Sequence, residues 1–83
     1  MKMYTVYFIR TRILDNIRKH SYIISNESKL SLKRKIFSYV KNIEFVELLC
    51  EESTKEEAYQ TIKEFHNNSL YWKRPNKHMI EYI

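Results

Sequence analysis

Glycine is absent from all 83 residues, where average usage would supply about 7%. That absence excludes the Gly-rich phosphate cradles of GxGxxG and Walker type, and two-residue hairpins built on Asn-Gly or Asp-Gly. The single cysteine, Cys50, excludes an internal disulfide and a thiolate metal cluster. No apolar run approaches the ~18 residues of a membrane-crossing helix. The N-terminus lacks the apolar stretch and small-residue cleavage site of a signal peptide. These absences predict a soluble intracellular protein with no membrane partner, cytoplasmic or, in a eukaryotic or viral setting, nuclear. What is present is a core: 43% hydrophobic and 14% aromatic residues are too many for a disordered chain. The length allows one domain, residues 1–83, with no repeat and no linker. A domain this small is marginally stable and has no covalent staple.

Charge is distributed unevenly. Residues 1–41 carry ten Lys/Arg against Asp15 and Glu27, a net +8, whereas residues 42–64 carry seven glutamates against two lysines, a net −5. The remainder adds +2, for the overall +5. A basic face suits a polyanion, because each neutralised phosphate releases counterions and adds salt-sensitive affinity. The competing reading is a solvated lysine-rich surface in a chain biased toward Lys, Ile, Asn and Tyr, a bias that AT-rich coding produces. The acidic run from Glu44 to Glu57 reads as a solvated face, or as a mimic of phosphates toward a basic partner.

Tyr4-Thr5-Val6-Tyr7-Phe8-Ile9 is β-branched and aromatic throughout, which predicts a strand. Both its faces are apolar, so it belongs in the middle of a sheet. Residues 10–19 are polar and basic and read as a long loop turning at Asp15-Asn16; Ser21-Tyr22-Ile23-Ile24-Ser25 reads as a second, antiparallel strand. Asn26 or Ser28 can cap a helix running to about Asn42, with Leu32, Ile36, Tyr39 and Ile43 on one face, widened by Phe37 and Val40. A third strand follows over residues 43–50. Ser53-Thr54-Lys55-Glu56 then has the form of a capping box opening a helix that buries Ala58, Ile62 and Phe65, beside Tyr59, and frays at Asn67-Asn68. The predicted fold is a small α+β domain of order β-β-α-β-α, a three-stranded, mainly antiparallel sheet packed by helices. The tail from Ser69 is left without an assigned element.

Several strings in this order resemble the GIY-YIG nuclease domain, over roughly residues 3–66, with 69–83 as an aromatic and basic extension. Thr5-Val6-Tyr7 stands at the GIY place and Tyr22-Ile23-Ile24 at the YIG place, with Ile24 where glycine belongs. Leu32-Lys33-Arg34-Lys35-Ile36-Phe37-Ser38-Tyr39 is similar to the family's Arg-bearing helix. Phe45-Val46-Glu47-Leu48-Leu49 followed by Lys55-Glu56-Glu57-Ala58 resembles the third strand and the start of the Glu-bearing helix. The resemblance implies metal-assisted phosphodiester hydrolysis, in which a glutamate holds the cation, an arginine the phosphate, and a tyrosine helps to activate water. Tyr7 and Tyr22 match the two motif tyrosines, although strand tyrosines also serve simply as packing with a wet hydroxyl. With Tyr39 at the family's later helix position, Lys35 falls at the arginine position and keeps the charge without the bidentate fork. Arg34 is displaced by one residue, about 100° around the helix. The glutamate position is Ile62, which cannot ligate a hard cation; Glu64 lies about 200° further round, and Glu57 is also off that face. Ile24 and Ile62 together imply a domain that keeps the fold and has shed hydrolysis.

The expectation is therefore a degenerate, non-catalytic GIY-YIG-like domain that binds DNA or RNA. Its basic loop and helix would supply Arg10, Arg12, Arg18, Lys19, Lys33, Arg34, Lys35 and Tyr39, with no metal and no cofactor. The first alternative is an endonuclease with a rearranged site using Tyr7, Tyr22, Lys35 and Glu64, which would need Mg2+ or Mn2+. The second is a small viral or phage-type protein that inhibits or adapts another protein. Tyr71-Trp72-Lys73-Arg74, before Pro75, could stack bases, anchor a protein partner, or fold back over the sheet. His20, His66 and His78 share no metal spacing and read as surface or packing residues, and Cys50 reads as a buried small hydrophobe.

Overall fold

Apolar side chains on both sides of residues 4–9 need cover on both faces, and the fold provides it. The computed structural model describes residues 2–68 and 80–82. Its elements are β1 (Tyr4–Leu14), β2 (Ile17–Ser25), α1 (Lys29–Tyr39), β3 (Ile43–Ser53), α2 (Lys55–Asn67) and β4 (Ile80–Tyr82). The four strands lie in the order β3-β1-β2-β4, so β1 is internal as its sequence requires. Val6, Phe8, Tyr22 and Ile24 pack with Ala58 and Ile62 of α2 on one face. Tyr7, Ile9 and Ile23 pack with Leu32 and Ile36 of α1 on the other. The predicted α+β class holds, with one helix on each face of the sheet.

Residues 10–19 are not a loop. Strands β1 and β2 continue as an antiparallel ladder through Arg10↔His20, Thr11↔Lys19, Arg12↔Arg18 and Leu14↔Ile17, and turn at Asp15-Asn16 as expected. Backbone pairing needs no buried face, so polar residues can sit in such a ribbon. Neither turn residue takes a positive φ, so the turn is not one of the primed types that match strand twist. A register shift between Arg12 and Leu14 leaves Ile13 as the extra residue of a bulge, which supplies the missing twist.

Helix α1 starts at the Ser28 cap, whose hydroxyl accepts the Ser31 N–H at 3.3 Å. It ends at Tyr39 rather than near Asn42: Val40 is already extended, and Asn42 adopts φ 60°, a left-handed conformation asparagine tolerates. Val40 takes the core position on the α1 side, leaving Tyr39 78% exposed and not on the buried face. Strand β3 runs on to Ser53, which pairs with Tyr4. The capping box is accordingly displaced by one residue from Ser53/Glu56. Thr54 N–H donates to Glu57 Oε1 at 3.1 Å, and Glu57 N–H donates to Thr54 Oγ1 at 3.2 Å.

Strand β4 enlarges the predicted three-stranded sheet to four and makes it mixed, pairing parallel to β2 through Tyr22↔Ile80, Ile23↔Glu81 and Ile24↔Tyr82. The end of the 69–83 extension thus belongs to the sheet, where Ile80 packs against the α2-side core. The signal was weak because three residues are too short for a hydrophobic period to register.

Candidate nucleic-acid interface

Strand alternation sorts the cations of the first half onto different faces. Arg10 follows Val6 and Phe8 on the α2 side, where its guanidinium lies 5.7 Å from the Phe45 ring centroid. Arg18 reaches Glu44 Oε1 at 2.5 Å, and Arg10 Nε lies 3.7 Å from the same oxygen. His20, opposite Arg10, stacks on Phe8 at 5.8 Å between centroids. Burial, then the neighbouring Arg10 charge, lowers the His20 pKa. Arg12 and Arg18 stand directly opposite each other across the ladder, a like-charge pairing that costs stability. Glu44 of β3 is the counter-ion of this arm.

The remaining cations divide between paired and unpaired. Lys19 pairs with Glu81 at 3.4 Å, Lys29 with Glu51 at 3.6 Å and Lys35 with Glu27 at 3.0 Å. The Lys35 ammonium, by hydrogen bond and then by charge, with help from Ser31 and Ser25, holds the Glu27 carboxyl below its ordinary range. Arg12, Lys33, Arg34 and Lys41 make no ion pair among the described residues. Lys33 and Arg34 lie on the outer face of α1 with the exposed Leu30 and Phe37, at three- and four-residue helical steps. The loop after α1 is tied to the arm by Arg12 N–H donating to Asn42 O at 3.0 Å. Among the described residues the unpaired cations therefore fall in separate places, Lys33 and Arg34 on the outer face of α1 and Arg12 on the α2 side of the arm with Arg10 and Arg18.

The structure does not form the single basic surface expected from sequence. Arg10 and Arg18 lie on the α2 side of the sheet, whereas Lys33, Arg34 and Lys35 lie on the helix covering the other side. Tyr7 and Tyr22 are separated in the same way. The Tyr7 hydroxyl donates to Lys29 O at 3.0 Å in the α1 layer, and Tyr22 lies among Phe8 and Phe65 in the α2 layer. Both are buried, so neither has the wet hydroxyl of the packing reading. Burial raises both phenol pKa values, for Tyr7 with a further push from Glu51. A phenol that holds its proton more tightly is a poorer base for activating water.

Ile62 is 1% exposed within the α2-side core, and Ile24 is fully buried there. Glu64 is exposed and accepts a hydrogen bond from Gln60 at 3.2 Å, while Glu57 is engaged in the capping box. Cys50 is half-buried against the same core, and His66 is fully buried. Tyr71, Trp72, Lys73, Arg74, Pro75 and His78 lie outside the described residues. Among the described residues no group of three or more His, Cys, Asp or Glu is placed to hold a metal ion. No helix among them is long and apolar enough to cross a membrane.

Sequence reasoning missed the arm and the role of Glu44. A signal was present, since Arg10 and Arg12 before Asp15-Asn16 mirror Arg18 and His20 after it at a two-residue period. The Glu44 contact spans 26 residues and had no local trace. Compared with protein-family models, curated proteins and solved structures, the chain matches none of them.

Proposed function

We propose that this chain is a non-catalytic nucleic-acid-binding domain, a degenerate relative of the GIY-YIG nuclease domain in which the position of the metal-binding glutamate has become part of the core. The observation that supports it is the pair Lys33 and Arg34, which make no ion pair among the described residues and sit at helical steps from the exposed Phe37 on the outer face of α1. Unpaired surface cations contribute in full to counterion release on a polyanion, whereas cations already paired to glutamate contribute less. The exposed aromatic ring offers a base a stacking surface. The burial of Ile62 favours binding over cutting.

The test is a titration of DNA and RNA at two salt concentrations, with magnesium present. Lys33→Ala/Arg34→Ala should weaken binding and reduce the salt slope by about two, one for each phosphate left without its cation. Unchanged affinity and slope would overturn the reading. Chelator-sensitive cleavage that Glu64→Gln abolishes would replace it with the nuclease. A stoichiometric protein complex that persists in salt sufficient to abolish nucleic-acid binding would replace it with an adaptor docking on Leu30 and Phe37.

A further inference from the structure

We infer that the β1–β2 arm is a groove-entering element, which places Ile13, Leu14 and Ile17 against the bases of duplex DNA and Arg12 at a flanking phosphate. This deepens the nucleic-acid-binding reading and rests on it.

The first observation is geometric. Among the described residues, pairing of β3 to β1 extends to Thr11↔Ile43, and pairing of β4 to β2 extends to Tyr22↔Ile80. Residues 12–18 are thus a two-stranded ribbon without a flanking strand on either side among the described residues. Two strands about 4.8 Å apart form an element that the major groove of B-DNA admits. The three residues of β1 beyond Thr11 reach about 10 Å, comparable with the groove's depth of about 8.5 Å.

The second observation is chemical. Ile13, Leu14 and Ile17 are 56%, 62% and 49% exposed, three neighbouring apolar side chains at a turn where polar residues are the rule. The Leu14↔Ile17 cross-strand pair stabilises the hairpin, but Ile13 lies at the bulge outside that ladder. Directly behind this tip stand Arg12, which makes no ion pair among the described residues, and Arg18, which is held by Glu44 and donates to the Leu14 and Asp15 carbonyls. A phosphate at the groove's edge would meet Arg12, and base edges, thymine methyls above all, would cover the apolar tip. The charge favours DNA over a neutral apolar partner. The deep, narrow major groove of A-form RNA would not admit such a ribbon.

The experiment is a fluorescence-anisotropy titration of the full chain with a short labelled duplex and the matching single strand, at two salt concentrations. Three proteins are compared: wild type, Ile13→Ser/Leu14→Ser/Ile17→Ser, and Lys33→Ala/Arg34→Ala. The serine variant should bind the duplex about tenfold more weakly, as expected when the apolar surface it no longer covers is worth nearly two buried methylenes. Its salt slope should be unchanged, because the cations that meet phosphate are all retained, and its preference for duplex over single strand should disappear. Circular-dichroism melting of all three proteins checks that the exposed substitutions leave the fold intact. If the serine variant binds duplex like wild type while the helix variant is weakened, the arm takes no part and only this inference fails. If wild type binds neither nucleic acid, the underlying reading fails too. Binding of phosphatidylserine vesicles that the serine variant loses, with duplex affinity unaffected, would make the tip a lipid contact and overturn the inference.

Discussion

Ile62 shares its cluster with Val6, Phe8, Tyr22, Ile24 and Ala58, and only 1% of it meets solvent. Truncation to alanine leaves a cavity and should cost about 2–5 kcal/mol, a large share of the roughly 5 kcal/mol expected of a domain at the low end of stability. Glutamate at this site would bury an uncompensated carboxylate among hydrocarbon. Ile62→Glu should therefore show no cooperative thermal transition by circular dichroism, with or without magnesium. A folded Ile62→Glu protein that gains magnesium-dependent nicking would instead show a metal site one side chain away. Position 62 was legible in the sequence because Ala58, Ile62 and Phe65 share a helical stripe. Tyr39 fits the same kind of stripe on α1 and is nonetheless exposed, because the helix stops at that residue.

At the scale of the element, caps and turns decide boundaries that periodicity leaves open. Either Ser53/Glu56 or Thr54/Glu57 satisfies the capping-box pattern, and the choice falls to Thr54 because Ser53 is held in the β1–β3 ladder opposite Tyr4. Thr54→Ala should destabilise the domain by about 1 kcal/mol, read as a lower urea midpoint at unchanged slope. Ser53→Ala, which removes only a hydrogen bond to Glu51 O, should shift it less; the reverse order would place the cap at Ser53. The arm is the larger correction at this scale. Arg, Thr and Lys in residues 10–19 have no apolar period, yet they pair as strands because alternate N–H and C=O groups pair across the ribbon and the outward ones meet water, β3 or, for the Arg12 N–H, the Asn42 carbonyl. Hydrophobic alternation reveals half-buried strands and is silent on solvated ones.

For the whole molecule, the basic first half and acidic third strand are brought together by the sheet. Glu44 bridges Arg10 and Arg18, and Glu51 meets Lys29, so much of the sequence dipole is neutralised internally. Such exposed pairs contribute little to stability, but they determine which cations remain for a partner. Titration of the fold follows the same pattern. His20, Glu27 and Glu57 all have folded pKa values below their ordinary ones, His20 chiefly by burial, Glu27 by Lys35, and Glu57 by the Thr54 N–H. Each binds protons less readily when folded, so its stabilisation is complete above its ordinary pKa and is lost as pH falls through the depressed value. The melting temperature should therefore fall in two stages on acidification, first below about 6.5 and then below about 4.5. His20→Gln should flatten the first stage alone; a melting temperature that stays level or rises from neutral pH to about 5 would contradict this.

The sequence by itself determined the α+β class, the central first strand, the Asp15-Asn16 turn, and the burial of Leu32, Ile36, Ala58 and Ile62. All of these rest on local periodicity and turn chemistry, which act over a few residues. Tertiary structure decided that Tyr7 and Tyr22 occupy opposite layers, that Glu44 is the counter-ion of the arm, and that β4 extends the sheet. It also decided which cations stay unpaired among the described residues. These depend on strand register and on contacts between residues far apart in the chain, and a one-residue change of register would move every one of those strand side chains to the other face.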